Sequence, residues 1–400
     1  MATPRKHIFD PAKPVTCHCI SRCVRRSPLL EQEERRRALA ERLVELVLYF
    51  AIDVLEWALL TNHFHLVAST HPDLAALWSD REVATRWRTL SPDYVWRLRN
   101  KIDKSLPAQP EEIAAALADP ALVARWRREL ADLSTFHKFL KQRIALIINL
   151  EDEVTGHCWE GRFKSIVALD DKAIIAHMVY VALNPVRAGR AESLDEYKFC
   201  SIAERIDQLK RRIAAGEFAG EAETAREKLR SARLVPALPC KPGPEAVKVE
   251  KLRNGLRNPW FGGRVPSVFE GASLAAFIAE VDAAGRVKSE YKRGMVAAST
   301  PKPLAELDLA LLESARGAGD ARLGDFMRGP LAALESAMAR GLASPLGNFS
   351  GGAAALARKA KETGRRFVVG LTSLVPGAAR RVAAEREPPD AGEELQPARC

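Results

Sequence analysis

Two short segments of the sequence carry side chains that could together act on a phosphodiester bond. In the apolar run at 61–66, His63 and His65 are two residues apart, and residues at this spacing on a β-strand share one face of the sheet. Much later in the chain, Tyr180 and Asn184 are four residues apart, which places a phenol and a carboxamide on one face of a helix. Two imidazoles, an amide and a phenol are the components of a divalent-metal site beside an oxygen nucleophile. We therefore interpret them as a candidate site for cutting a DNA strand.

Each residue type has a definite part in such chemistry. Imidazole nitrogens bind divalent metals, so His63 and His65 could hold Mg²⁺ or Mn²⁺, with Asn184 as a third ligand and positions left for phosphate oxygens. A metal would polarise the scissile phosphate. Attack by the Tyr180 phenol would leave a 5′-phosphotyrosine and a free 3′-hydroxyl. His177, one helical turn before Tyr180, could assist proton transfer, although a packed or solvent-facing histidine is the more usual reading.

Alternating and helical patterns predict the elements that must position these side chains. The two histidines lie in the second strand of a predicted hairpin, and Tyr180 lies on a helix that opens at Asp170-Asp171 and ends near Asn184, because Pro185 follows. The other predicted elements are a strand at 15–24, an amphipathic helix around 39–50, a second one from Ser134, and a strand at 158–168.

A segment at 71–133 interrupts this pattern and is predicted to be a mainly helical insertion. It combines arginines with four tryptophans, Trp78, Trp87, Trp96 and Trp126. Such a mixture could stack on unpaired bases, but tryptophan more often anchors small helical packings. Packing is the favoured interpretation.

Composition is compatible with a polyanionic partner without identifying one. Lysine and arginine total 61 against 51 acidic residues, a formal net charge of +10. No apolar run reaches the roughly 18 residues that a membrane helix needs, and the N-terminus has no apolar signal core, so we expect a cytoplasmic protein without a membrane partner. Cys17, Cys19 and Cys23 cluster around His18, but their alternation fits a buried strand better than a zinc site.

The chain is expected to contain a catalytic domain followed by a largely helical region. A serine at 273 precedes apolar residues at helical spacing and predicts a capped helix there. The predicted divisions are a domain at 13–203 with its insertion at 71–133, a helical connector at 204–235, a proline-rich linker at 236–249, a mainly helical region at 250–384 and a disordered tail at 385–400.

Three blocks of sequence resemble the signature blocks of a known family. They read Asn-His-Phe-His-Leu at 62–66, Cys-Trp-Glu-Gly-Arg-Phe-Lys-Ser at 158–165, and Tyr-Val-Ala-Leu-Asn-Pro-Val-Arg-Ala-Gly at 180–189. Over about 13–203, apart from the insertion, the chain resembles the single-tyrosine HUH transposases, in particular their REP-associated, insertion-sequence-200-like branch.

This resemblance implies a fold, a reaction and a set of roles. The fold would be α+β, a small ferredoxin-like antiparallel sheet with helices packed on one side. His63 and His65 would be the metal pair, Asn184 the third ligand and Tyr180 the nucleophile, acting with Mg²⁺ or Mn²⁺. The substrate would be single-stranded DNA with hairpin or palindromic ends, cleaved and rejoined during transposition.

Basic residues near these blocks are the candidate DNA contacts. They are Arg22, Arg162, Lys164 and Arg187, with looser candidates at Arg286, Lys288, Lys292 and Arg293. Two alternatives stay open: a domesticated regulator of the same fold that binds DNA or RNA hairpins, and a metal-dependent phosphoesterase that uses water in place of tyrosine. The sequence does not decide between a monomer and a swapped dimer in which Tyr180 serves the partner's histidines.

Overall fold

The computed structural model shows a mixed α+β chain built around one sheet. It describes residues 10–93, 97, 101, 108–218, 224, 227–228, 232, 234–241, 273–289, 292, 294–304, 331, 334–335, 349–362, 367–371 and 379–383. Its strands are β1 (Val15–Arg22), β2 (Ile52–Leu59), β3 (His63–Thr70), β4 (Lys164–Ala168), β5 (Phe349–Ser350), β6 (Phe367–Leu371) and β7 (Ala379–Ala383). Its helices are α1 (Glu33–Val47), α2 (Pro72–Ala76), α3 (Asp80–Leu90), α4 (Pro110–Leu117), α5 (Pro120–Glu129), α6 (Leu133–Glu151), α7 (Asp171–Ala182), α8 (Asn184–Arg187), α9 (Ser201–Ala214), α10 (Leu274–Arg286) and α11 (Ala353–Glu362).

The first four strands form an antiparallel sheet in the order β2-β3-β1-β4. The hairpin of β2 and β3 turns at Thr61-Asn62, as the sequence predicts. With α1 between β1 and β2 and α6 before β4, the elements follow the order β-α-β-β-α-β, with the insertion helices α2 to α5 between β3 and α6. β1 lies between β3 and β4, so its side chains contact both neighbours.

Helices cover both faces of this sheet, which corrects the expectation of helices on one side. Cys17 and Cys19 of β1 face the core that contains α1 and α6. His18, on the opposite face, contacts rings of α7. The alternation of the strand separates the two sets, so His18 does not join the neighbouring cysteines in a zinc site.

The described part of the insertion consists mainly of the helices α2 to α5, joined by short turns, and its described tryptophans pack. Trp78 and Trp126 are buried. Trp87 stacks on Trp126 with ring centroids 5.7 Å apart. These contacts support the packing interpretation over base stacking for these three tryptophans, whereas Trp96 lies outside the described residues.

The C-terminal half adds strands that the sequence analysis did not predict. β5 pairs in parallel with β4 and with β6, and β7 is antiparallel to β6, so the described sheet has seven strands and is mixed. The predicted helix after Ser273 is present as α10, and the Ser273 hydroxyl accepts a hydrogen bond from the Ala276 amide at 3.1 Å. The predicted linker beyond 241, Arg293 and the tail at 385–400 lie outside the described residues. Within the part of the chain that is described, no helix is long and apolar enough to span a membrane.

The predicted strand at 158–168 is shorter in the structure. β4 begins only at Lys164, and the preceding residues form turns with one isolated bridge between Trp159 and Cys23. Gly161 has a φ of +155°, a conformation that side chains seldom adopt. Arg162 therefore lies on an exposed loop rather than on a strand face.

Candidate active site

β3 and α7 bring the predicted site residues to one place. On β3, His63 and His65 pair with Arg22 and Ile20 of β1, and directly paired residues point to the same face. α7 crosses that face, and the Asp170 carboxylate caps it by accepting a hydrogen bond from the Ala173 amide at 2.8 Å. The helix ends at Ala182, and a short helix begins at Asn184 because Pro185 removes the next amide donor.

Four side chains meet between these elements. The rings of His63 and His65 have centroids 4.9 Å apart, and those of His65 and Tyr180 are 5.8 Å apart. The Asn184 amide Nδ2 lies 3.3 Å from His65 Nε2 and donates to it. The His63 Nδ1–H donates to Asn62 Oδ1 at 2.6 Å. Hydrogen bonds therefore hold both candidate metal-binding rings, that of His63 to Asn62 and that of His65 to Asn184.

A row of hydrogen-bonded imidazoles continues from His65 into the core. His65 Nδ1 lies 2.9 Å from His18 Nε2, and His18 Nδ1 lies 3.0 Å from His177 Nδ1. His177 Nε2 lies 2.8 Å from the hydroxyl of Ser350 on β5. His177 is therefore packed and bonded, not solvent-facing. The sequence patterns did not indicate the contacts of His18 with the other histidines, although its place on the strand beside the histidine hairpin was a usable signal.

Burial keeps these imidazoles neutral. It lowers the pKa of His63 to about 3, with Arg22 and Lys292 adding to the effect. Burial also lowers the pKa of His177 to about 3 and the pKa values of His18 and His65 well below the usual range. A neutral imidazole has one ring nitrogen with an available lone pair, so the neutral form is the one that binds metals.

Tyr180 is almost completely enclosed, with 5 % of its surface exposed. Burial raises its pKa above the usual 10, and the hydrogen bond with Asn184 opposes that shift. The Lys292 ammonium lies 5.7 Å from the ring centroid of Tyr180. Burial lowers the pKa of Lys292, and the nearby Arg22 and Arg187 act in the same direction. The Tyr180 phenol and the Lys292 ammonium are therefore close together in a region largely shielded from solvent.

The other predicted DNA contacts divide into two groups. Arg22 is half-buried beside His63, while Arg162 and Lys164 are exposed. Arg187, by contrast, is buried, and its guanidinium donates to Glu335 Oε1 at 3.0 Å and to three backbone carbonyls. Its donors are used within the protein, so the prediction that Arg187 contacts nucleic acid is corrected. Arg286 similarly pairs with Asp282 at 2.7 Å.

A second buried group offers metal-ligand atoms away from this site. The ligand atoms of Asp53, His71 and Cys240 lie within 4.8 Å of one another. Asp53 accepts hydrogen bonds from His71 Nε2 at 2.8 Å and from the Cys240 amide at 2.7 Å. Burial lowers the pKa of His71, but Asp53 outweighs burial and the net direction is upward. The group is a possible metal-binding triad, and a hydrogen-bonded carboxylate–imidazolium pair already accounts for its geometry.

Comparison with known proteins adds one structural similarity. No protein-family model and no curated protein matches the chain. Part of the chain is similar to a solved structure of a REP-associated tyrosine transposase bound to a REP hairpin, with 13% sequence identity and a TM-score of 0.30, over 48% of this chain and 79% of that one. A TM-score of this size does not establish a shared fold, so the interpretation of the site depends on its own geometry.

Proposed function

We propose that this protein cleaves and rejoins single-stranded DNA through a 5′-phosphotyrosine on Tyr180, in the manner of the single-tyrosine HUH transposases. The observation that carries the proposal is the contact among His63, His65, Tyr180 and Asn184, which come from two segments far apart in sequence. The imidazoles in this group are neutral, the form that can bind a metal. A structural core has no need for two metal-type ligands, a phenol and an amide in one contact group.

The architecture around the site supports the same proposal. The β-α-β-β-α-β order with an antiparallel β2-β3-β1-β4 sheet is the ferredoxin-like arrangement that the resemblance implies. In this arrangement β3, which carries His63 and His65, lies next to β1, and α7, which carries Tyr180, crosses one face of the sheet. The later strands β5, β6 and β7 add to the edge beyond β4 and leave the histidine strand unchanged.

His63 and His65 would hold the divalent ion through their Nε2 atoms. The Nδ1 atom of His63 is bonded to Asn62 and that of His65 to His18, so a ligand would bind at Nε2 of each ring, where it would replace the hydrogen bond that Asn184 now donates to His65 Nε2. Imidazole donors favour Mn²⁺ over Mg²⁺, which prefers oxygen ligands. The bound ion would polarise the scissile phosphate and offset its developing charge. Asn184 presents its amide nitrogen to His65 here, so its proposed service as a ligand requires the amide oxygen to turn inwards.

The reaction is balanced by the phenol and the leaving oxygen. The Tyr180 oxygen forms a bond to phosphorus while the bond from phosphorus to the 3′ oxygen breaks. The phenol loses a proton and the 3′ oxygen gains one, and the strand is rejoined by the reverse attack. Lys292 and Arg22 are placed to stabilise the phenolate and the phosphate, because both contribute positive charge next to Tyr180 and the histidines.

One observation favours the alternative of a hairpin-binding regulator. Tyr180 and Asn184 are buried, and the raised pKa of Tyr180 makes its phenol a weak nucleophile in this conformation. Catalysis therefore requires the Tyr180 phenol to become accessible when DNA enters. A regulator would need no such change.

The test is incubation of the protein with Mn²⁺ and end-labelled single-stranded DNA taken from the sequences that flank its gene. Denaturing gels report strand cleavage and any covalent protein–DNA adduct. We expect an adduct with the wild type and with Tyr197→Phe, a control whose hydroxyl donates to the Leu59 carbonyl at 2.7 Å outside the site. We expect none with Tyr180→Phe, which should retain DNA binding.

The remaining outcomes separate the alternatives. Tight hairpin binding by the wild type without cleavage would favour the regulator. Cleavage without an adduct, unchanged in Tyr180→Phe, would favour a phosphoesterase that uses water. His63→Ala should abolish Mn²⁺-dependent cleavage while circular dichroism shows an unchanged fold.

A further inference from the structure

We infer that His18, His177 and Ser350 form a hydrogen-bonded chain that fixes the proton of His65 on Nδ1, so that its Nε2 lone pair faces the candidate metal site. The inference rests on the proposed function only in treating His65 as a metal ligand. In this inference His18, His177 and Ser350 are positioning residues. Their hydrogen bonds connect the site to β5, more than 150 residues further along the polypeptide.

The contacts of Ser350 set which atom donates and which accepts in each hydrogen bond of this row. The Ser350 hydroxyl lies 3.3 Å from the Val167 carbonyl and donates to it, because a carbonyl can only accept. The Ser350 oxygen is then the acceptor for His177 Nε2–H at 2.8 Å. A neutral imidazole carries one proton, so His177 Nδ1 must be an acceptor.

The remaining steps follow from the same rule. His18 Nδ1–H donates to His177 Nδ1 at 3.0 Å, which leaves His18 Nε2 as an acceptor. His65 Nδ1–H donates to His18 Nε2 at 2.9 Å. The proton of His65 is thereby placed on Nδ1, and its lone pair is on Nε2.

The contact at the other end of this row of hydrogen bonds, between Asn184 and His65, independently places the His65 proton on Nδ1. The Asn184 amide nitrogen lies 3.3 Å from His65 Nε2 and has only protons to offer, so His65 Nε2 must accept. Reversing every bond would place N–H against N–H at this contact and would leave the Val167 carbonyl without the Ser350 proton. Leaving such buried donors and acceptors unmatched is costly, so one proton arrangement is selected.

The hydrogen bonds also require all three rings to be neutral. His65 Nε2 accepts from Asn184, so the one proton of that ring is on Nδ1; His18 Nε2 accepts this proton, and His177 Nδ1 accepts the proton of His18 Nδ1. A cationic ring would donate from both nitrogens and could not accept at any of these contacts. Partners that hold the second nitrogen of a metal-binding histidine set its tautomer and its orientation in metal sites generally. Here the partner is itself a histidine held by another histidine.

The direct test is NMR of the ring nitrogens in the metal-free protein labelled with ¹⁵N-histidine. Two-bond proton–nitrogen correlations distinguish an Nδ1–H ring from an Nε2–H ring. We expect Nδ1–H for His65 and His18 and Nε2–H for His177, assigned through single-histidine variants. Nε2–H as the major form of His65 would overturn the inference, whether or not the protein cleaves DNA.

Two variants test whether the chain determines that state. Ser350→Ala removes the acceptor for His177 Nε2–H, so the Asn184 contact alone then favours Nδ1–H in His65, and we expect part of His65 to change to the Nε2–H form. His18→Phe keeps an aromatic ring but removes both bonds, and we expect the Kd for Mn²⁺ to rise roughly 10- to 100-fold. Ser21→Ala is the matched control, because the Ser21 hydroxyl is buried on β1 without a hydrogen-bond partner among the described residues.

The outcomes separate this inference from the proposed function. An unchanged His65 tautomer in Ser350→Ala and in His18→Phe, with an unchanged fold, would contradict the chain even if cleavage is normal. The expected tautomers and their loss in Ser350→Ala, in a protein that shows no Mn²⁺-dependent cleavage, would support the chain and reject the nuclease.

Discussion

At the scale of single residues, two arginines of the candidate motifs differ because burial decides what a guanidinium can do. Arg187 lies within a block that resembles a DNA-processing motif, yet it is enclosed and bonded to Glu335 and to carbonyls of the 284–294 segment. Arg162 is exposed on a loop. A guanidinium whose donors are all used internally stabilises the fold, whereas an exposed one remains available to a phosphate.

Substitution of Arg187 should therefore mainly lower the stability of the fold, whereas substitution of Arg162 should mainly weaken DNA binding. We expect Arg187→Met to lower the free energy of unfolding by about 3–5 kcal/mol, because it leaves the Glu335 carboxylate buried without its partner. We expect Arg162→Met to change that free energy by less than about 0.5 kcal/mol and to weaken DNA binding. Urea denaturation and DNA titration measure both quantities, and a stable Arg187→Met protein with weakened DNA binding would restore the original prediction.

At the scale of elements, the segment that follows α10 is held against α8 by close backbone contact. A Cβ atom built on Gly294 would lie 1.7 Å from the Val186 carbonyl oxygen, so only glycine fits there. The same segment supplies Lys292, whose ammonium lies over the Tyr180 ring. The C-terminal region thus forms part of the wall around the candidate nucleophile.

Gly294→Ala should separate these two elements. We expect a loss of about 1–3 kcal/mol in the free energy of unfolding, and faster hydrogen exchange in the segment that includes Lys292. Gly285→Ala is the graded control, because its Cβ would meet only side-chain atoms of Leu183 and Val296, at 3.0 Å, and these can shift. Equal effects of the two substitutions would show that backbone contact at Gly294 is not decisive.

At the scale of the whole molecule, a buried group of neutral histidines makes stability depend on pH. The folded-state pKa values of His63 and His177 are lowered to about 3, whereas a histidine in the unfolded chain titrates near 6.5. The unfolded chain therefore binds more protons between these values. The stability that these residues contribute is fully present above pH 6.5 and is lost as pH falls towards 3. His71, whose pKa is raised by Asp53, acts in the opposite sense.

We expect the free energy of unfolding to fall as pH decreases from 6.5, with a slope approaching ~1.4 kcal/mol per pH unit for each buried neutral histidine. Urea denaturation at pH 7.5, 6.5, 5.5 and 4.5 measures this slope. His177→Phe should give a shallower slope, because one titrating group is removed. An identical slope in the variant would show that His177 is not neutral and buried as described.

The local geometry of the candidate site could be predicted from contacts between near neighbours in the sequence. The two-residue spacing of His63 and His65, the four-residue spacing of Tyr180 and Asn184, and the stop at Pro185 are consequences of strand alternation, helical periodicity and backbone chemistry, which act between near neighbours. The helix after Ser273 was predictable for the same reason, since a cap is a contact across one turn.

The distant residues that complete or enclose the site are brought there by tertiary packing and could not be predicted. The contacts of His18 with His65 and His177, the arrival of Ser350 on β5, the position of Lys292 and the burial of Arg187 join residues about 50 to 170 positions apart. Such contacts depend on strand register and on how elements pack, and no periodicity within one segment carries that information. Local spacing therefore predicted the candidate side chains, while long-range packing set their partners, their charge states and their access to solvent.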